Sequence, residues 1–159
     1  MLITPESLVV LGGSIALGLG LAGSAIGMGV AGSAGAATLS EEPGQLRNVI
    51  VLVSLPMTQT FYGLIILILM LTTVLPNIEL MENPEGAGFS ALACAMIGGL
   101  AQLASAVLQG WVCASGISLL PRTRGQILTN AMMLAVFVEL LGVLGLVFTI
   151  MALNLLGLF

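Results

Sequence analysis

Four long apolar stretches, roughly residues 7–39, 49–75, 88–120 and 127–158, take up most of this sequence, and only one charged residue, Glu139, lies inside any of them. Each stretch exceeds the ~20 residues that a helix needs to cross a bilayer. Runs such as 64–71 are continuously apolar, which argues against the alternating strands of about ten residues that build a membrane barrel. Charged side chains make up only 6% of the chain, against about 25% in an ordinary soluble domain. That is too few to clothe a water-soluble globule, so a soluble enzyme is excluded. There is no lysine, and the only basic residues are Arg47, Arg122 and Arg124. The cationic stripe that nucleic-acid phosphates require is missing, and no nucleic-acid partner is expected. The reading is an all-α membrane protein with four transmembrane helices and the lipid bilayer as its surroundings.

The connections order those helices. Short polar segments at 40–48 and 121–126 join the helices of each pair, and 76–87 separates the pairs. Short loops force antiparallel neighbours, giving two tandem helical hairpins, 1–79 and 80–159. All three arginines fall in the first two of these connections. The positive-inside rule therefore places both hairpin loops in the cytoplasm and both termini outside. The first residues show neither a basic n-region nor a cleavage site, so the first helix is expected to be a retained span.

The hairpins read as copies of one another. Thr4-Pro5-Glu6 and Asn83-Pro84-Glu85 each place a cap residue before a proline at the first helical position, with an acid near the positive helix end. Gly44-Gln45-Leu46 matches Gly125-Gln126-Ile127, and Tyr62-Gly63-Leu64 matches Leu144-Gly145-Leu146, so the three offsets are 79, 81 and 82 residues. In helix one, Gly23, Gly27, Ala31 and Gly35 recur every four positions. Such small faces let helices approach closely in lipid. Helix three has a weaker version at Ala106, Gly110 and Ala114, while helices two and four are bulkier. The split suggests small-faced helices at the narrow inner radius of a ring of copies. Gly18-x-Gly20-x-x-Gly23 matches a dinucleotide fingerprint literally, but it lies inside a membrane helix and lacks the strand context the motif needs.

Glu139 is the main functional clue. An ionisable residue at mid-bilayer costs about 2.5–3.5 kcal/mol on insertion scales, and such residues mark sites of function. Glu139 lies 12 residues past Ile127, about 18 Å along a helix. Thr58, Gln59 and Gln109 fall at the same depth when counted from the cytoplasmic ends. A carboxylate with amide and hydroxyl oxygens suits a hard cation, and a single carboxylate balances one monovalent charge, so the expected ion is Na⁺ or H⁺. The bland alternative is a protonated glutamate in an interhelical hydrogen bond. Pro56 removes a backbone donor just before Thr58, which frees nearby carbonyls to become ligands. Tyr62 lies on the same side of its helix as Thr58 and Gln59, and its hydroxyl is placed to cap the carboxylate. Gln102, one heptad before Gln109, is expected to form an interhelical hydrogen bond. Cys94 and Cys113 are 19 residues apart on one helix, about 28 Å, and so cannot pair with each other.

These residues resemble a known family. Glycine-rich helix one, the two hairpins and a single acid in helix four resemble, over nearly the whole chain, the duplicated proteolipid (the K, or c, subunit) of V-type and A/V-type rotary ATPases. Leu55-Pro56-Met57-Thr58-Gln59, Gln109-Gly110 and Glu139 resemble most closely the sodium-translocating bacterial V-type rotor subunit, with Met57 standing where that pattern has a smaller residue. The resemblance implies that Na⁺ is held by the Leu55 carbonyl, the side chains of Thr58, Gln59 and Gln109, and the Glu139 carboxylate, with Tyr62 hydrogen-bonded to that carboxylate. It implies a non-catalytic rotor subunit in a ring of identical subunits, turned by ATP hydrolysis in a separate head. A stator membrane subunit supplies an arginine, and a central-stalk subunit docks on the loops. It also implies a multi-pass protein of a prokaryotic plasma membrane. The alternatives are the same rotor carrying H⁺, or a structural or pore-forming four-helix membrane protein.

Overall fold

A computed structural model describes residues 4–159. Four helices are long and apolar enough to cross a membrane: Pro5–Glu41, Pro43–Ile78, Pro84–Ser118 and Leu128–Leu155, here helices one to four. They extend past the apolar stretches at several ends. At 1.5 Å per residue the 37 residues of helix one span about 55 Å, well beyond a hydrocarbon core of ~30 Å. Among the described residues there is no strand.

The helix starts follow local chemistry. Thr4 caps helix one and forms a reciprocal box with Ser7: Ser7 N–H donates to Thr4 Oγ1 at 3.3 Å, and Thr4 N–H donates to Ser7 Oγ at 3.0 Å. Asn83 caps helix three by accepting from Gly86 N–H at 3.1 Å. Each cap is followed by a proline whose missing N–H costs nothing at that position. The first hairpin loop is tighter than its polar residues suggested. Helix one runs to Glu41, only Glu42 lies outside helical structure, and a 3₁₀ turn, Pro43–Gln45, leads into helix two. The second loop differs. It contains one helical turn, Leu120–Thr123, followed by Arg124 and Gly125 in left-handed conformations with φ of 51° and 83°. A Cβ on Gly125 would also meet Asn48 Nδ2 at 2.9 Å, so the two hairpin loops lie side by side. Gly44, the repeat partner of Gly125, has no positive φ. The repeat thus preserves sequence there without preserving backbone.

Helices one and three make the most extensive contact in the molecule, followed by one with two and then three with four. Helix three is the hub. Two apolar clusters fill the interior. One, near the chain termini, gathers Val9, Ile66, Met70, Ala95 and Leu153. The other, near the hairpin loops, gathers Leu52, Cys113, Ile117, Leu120 and Ala135. Between them lies a polar layer. Cys94 and Cys113 are both buried and free. Large apolar side chains such as Phe61, Trp111, Leu134 and Phe137 are exposed on the outside, which is the surface expected of a chain that meets lipid or further copies.

Candidate ion site

The polar layer starts at Pro56. With no N–H it leaves the Leu52 carbonyl without its usual helical partner, and helix two tightens into a 3₁₀ turn over Leu55–Met57 before continuing at Thr58. That turn brings the Leu55 carbonyl to Thr58, whose hydroxyl lies 3.2 Å from it and also 3.2 Å from Gln59 Oε1. Gln59 Nε2 donates to Gln109 Oε1 at 2.8 Å and to Ser105 Oγ at 3.1 Å. Gln109 Nε2 lies 3.4 Å from Glu139 Oε2, and the Tyr62 hydroxyl donates to Glu139 Oε1 at 3.2 Å. Leu55, Thr58, Gln59, Gln109, Glu139 and Tyr62 therefore form one connected cluster drawn from helices two, three and four. Sequence spacing provided their depth, and the packing brings them face to face.

Burial is graded across the cluster. Gln59 and Gln109 are fully buried, whereas Leu55, Thr58, Tyr62 and Glu139 are half-buried. Glu139 sits 11 residues into helix four, about 17 Å from its start. Its neighbours Phe137, Leu140 and Leu141 are exposed. The carboxylate thus lies on the rim of the bundle, where a bare charge would face hydrocarbon and needs neutralising by a cation, a proton or a partner's charge. Among the described residues no group of three or more His, Cys, Asp or Glu side chains gathers in space. The Glu139 carboxylate is held by two donors, the Tyr62 hydroxyl and the Gln109 amide nitrogen, and the oxygens of Leu55, Thr58 and Gln59 lie in the same cluster.

Helix one contributes no polar ligand, but its small residues let the site form. Gly23, Gly27, Ala31 and Gly35 are all buried. A Cβ on Gly27 would collide with the Ala106 carbonyl oxygen and the Pro56 ring, and one on Gly110 would collide with the Gly27 backbone. A Cβ on Gly20 would meet the Gln59 carbonyl at 2.8 Å. The small face thus seats both the Pro56 turn and the Gln59 backbone. Gly35 receives Val49 of helix two, and Gly23 receives Leu103 of helix three.

Two polar residues extend the layer along helix three. Gln102 Nε2 donates to the Gly142 carbonyl at 2.8 Å, the interhelical bond its position suggested. Ser105 was not singled out by sequence reasoning. It is buried, accepts from Gln59 and donates to the Val138 carbonyl at 2.9 Å. Its signal was its position four residues before Gln109, on the same helical face.

The family profile for the C subunit of ATP synthase matches this chain twice, over residues 11–70 and 92–152. The chain belongs to the ATP synthase C-subunit family. It is a duplicated proteolipid, with one family unit in each hairpin. It is also similar to the A-type ATP synthase subunit K of Methanocaldococcus jannaschii, with 31% identity over 155 residues. The similarity covers 96% of this chain and 64% of that protein, so the chain spans less than two thirds of that relative's length. Within this duplicated proteolipid Glu139 lies in the second matched unit, and at the 82-residue offset of the Tyr62-Gly63-Leu64 repeat its counterpart in the first unit is Met57. Two family units therefore share one membrane carboxylate.

Proposed function

We propose that this chain is one protomer of the membrane rotor ring of an A/V-type ATPase, and that it carries one Na⁺ at Glu139. The observation that carries the reading is the carboxylate at mid-helix in one hydrogen-bonded cluster with Leu55, Thr58, Gln59, Gln109 and Tyr62, side chains and a carbonyl whose oxygens suit a hard monovalent cation. Binding a monovalent cation makes the site neutral, so a loaded protomer can face lipid without the cost of a bare charge. ATP hydrolysis in a separate soluble head turns the ring, and this chain performs no bond chemistry. At the interface with a stator membrane subunit, an arginine from that subunit displaces the cation into a half-channel. The emptied site reloads from a second half-channel. With one carboxylate per four helices, the ring moves fewer ions per turn than one with an acid in every hairpin. Each ion can then be driven against a steeper gradient, which favours pumping. The arginines of the two adjacent hairpin loops orient those loops to the cytoplasm, where a central-stalk subunit docks, in a prokaryotic plasma membrane.

The same rotor carrying H⁺ is the second reading. It is favoured by Gln109 turning its amide nitrogen toward Glu139, an arrangement that serves a hydrogen-bonded carboxyl as well. Carbodiimide labelling of Glu139 separates the two. Added Na⁺ should protect Glu139 at a pH where labelling otherwise proceeds. An unprotected Glu139 would remove sodium and leave the proton.

A further inference from the structure

We propose that Ser105 is a positioning residue for the cation site, a role that rests on the reading of Glu139 as the ion carrier. The case lies in the direction of each hydrogen bond. The Ser105 hydroxyl has one proton and spends it on the Val138 carbonyl at 2.9 Å. Toward Gln59 it can then only accept, and it does so from Gln59 Nε2 at 3.1 Å. The same nitrogen donates to Gln109 Oε1 at 2.8 Å. With both amide protons engaged toward helix three, Gln59 must present its oxygen to the opposite side, where Thr58 lies 3.2 Å away. Ser105 thus selects the orientation of the Gln59 amide that directs an acceptor, rather than a donor, into the cluster.

Its second bond reaches the backbone beside the carboxylate. Val138 immediately precedes Glu139, so Ser105 links helix two's amide to helix four's backbone one residue before the one carrying the carboxylate. Gln102 holds the next carbonyl on that face, Gly142, at 2.8 Å. A Cβ on Gly142 would meet Gln102 Oε1 at 2.9 Å and Ser105 Oγ at 3.0 Å, so the absent side chain is what lets these two residues reach the helix. Ser105 itself is only 3% exposed and lies one helical turn from Gln109. It bonds one of the ion's expected ligands, Gln59, and the residue before another, Glu139, without being a ligand itself.

The test is Ser105→Ala in the intact, purified ring. The change removes one oxygen and opens no steric conflict, and the Val138 carbonyl keeps its own helix as partner. Two readouts are used: the Na⁺ concentration that protects Glu139 from carbodiimide, and the side-chain amide signals of Gln59 by solid-state NMR. Losing one or two buried hydrogen bonds should raise the protecting concentration about tenfold, and the Gln59 amide signals should shift. A protecting concentration within about twofold of wild type, the scale of a few tenths of a kcal/mol, overturns the proposal. Should wild type itself show no Na⁺ protection, the sodium reading falls. The Gln59 signals then decide the role of Ser105 alone, and unchanged signals overturn it. If the alanine ring does not assemble, Ser105→Cys replaces both hydrogen bonds by much weaker ones; a raised protecting concentration with shifted Gln59 amide signals is expected, and Gln59 signals unchanged from wild type overturn the proposal.

Discussion

Glu139 is the only carboxyl side chain within the four apolar stretches, and its partners differ in what they can tolerate. Glu139→Gln keeps the size of the side chain and an acceptor for Tyr62, but removes the charge. Rings of this variant should assemble normally and show no coupled ion transport in reconstituted vesicles. Tyr62→Phe removes the donor that lies 3.2 Å from Glu139 Oε1. Hydrogen bonds to charged groups are worth about 1.5–3 kcal/mol, and Tyr62 is half-buried, so the lower end applies. The expected result is an approximately tenfold weaker ion affinity, measured by Na⁺ protection from carbodiimide, with ring yield unchanged. The residue types at the site were legible in the sequence, because polar side chains are conspicuous in apolar spans. Ser105 was not, because serine is common in membrane helices and its value depends on which carbonyl its hydroxyl finds.

Among the elements, helix two is the one whose irregularity has a use. Pro56 and the 3₁₀ turn over Leu55–Met57 turn the Leu55 carbonyl toward Thr58. Pro56→Ala restores an N–H and lets the α-helix run through. The helix should gain stability while the cation site loses its carbonyl: higher thermal stability of the ring, weaker Na⁺ protection of Glu139. A second irregularity, the π turn over Met70–Val74 just before Pro76, has the same physical origin in a missing N–H. It lies far from the polar layer. Helices one and three depend instead on what is absent. Gly110→Ala would drive a methyl into the Gly27 backbone. Overpacking of this kind costs about 1–3 kcal/mol, and here backbone rather than a flexible side chain must yield. Ring yield and melting temperature should both fall.

At the scale of the whole molecule, the outer surface carries its own consequence. Exposed Phe61, Trp111, Leu134 and Phe137 are incompatible with a free monomer in water. In mild detergent the chain should migrate as a closed ring of copies. A lone four-helix monomer, or a small open pore, would favour the structural alternative. Cysteines introduced at Arg47 and Arg122 should react with an impermeant thiol reagent from one and the same side, since the two loops lie together, and the proposed orientation makes that side the cytoplasm.

The sequence by itself determined the four spans, the duplicated hairpins, the single membrane acid and the depth at which Thr58, Gln59 and Gln109 lie beside it. Those follow from hydrophobicity, cap residues and the fixed rise of a helix, all of which are local. Only the tertiary structure decided which way the side chains face. Rotation of a helix about its axis is set by the partner it packs against: the glycine face of helix one seats Pro56 and Gln59, and the hub position of helix three turns Ser105 and Gln109 toward helices two and four. The hairpin loops make the same point in reverse. Gly44 and Gly125 match in sequence yet only Gly125 is left-handed, because its backbone must fit beside Gln45 and Asn48 of the other hairpin.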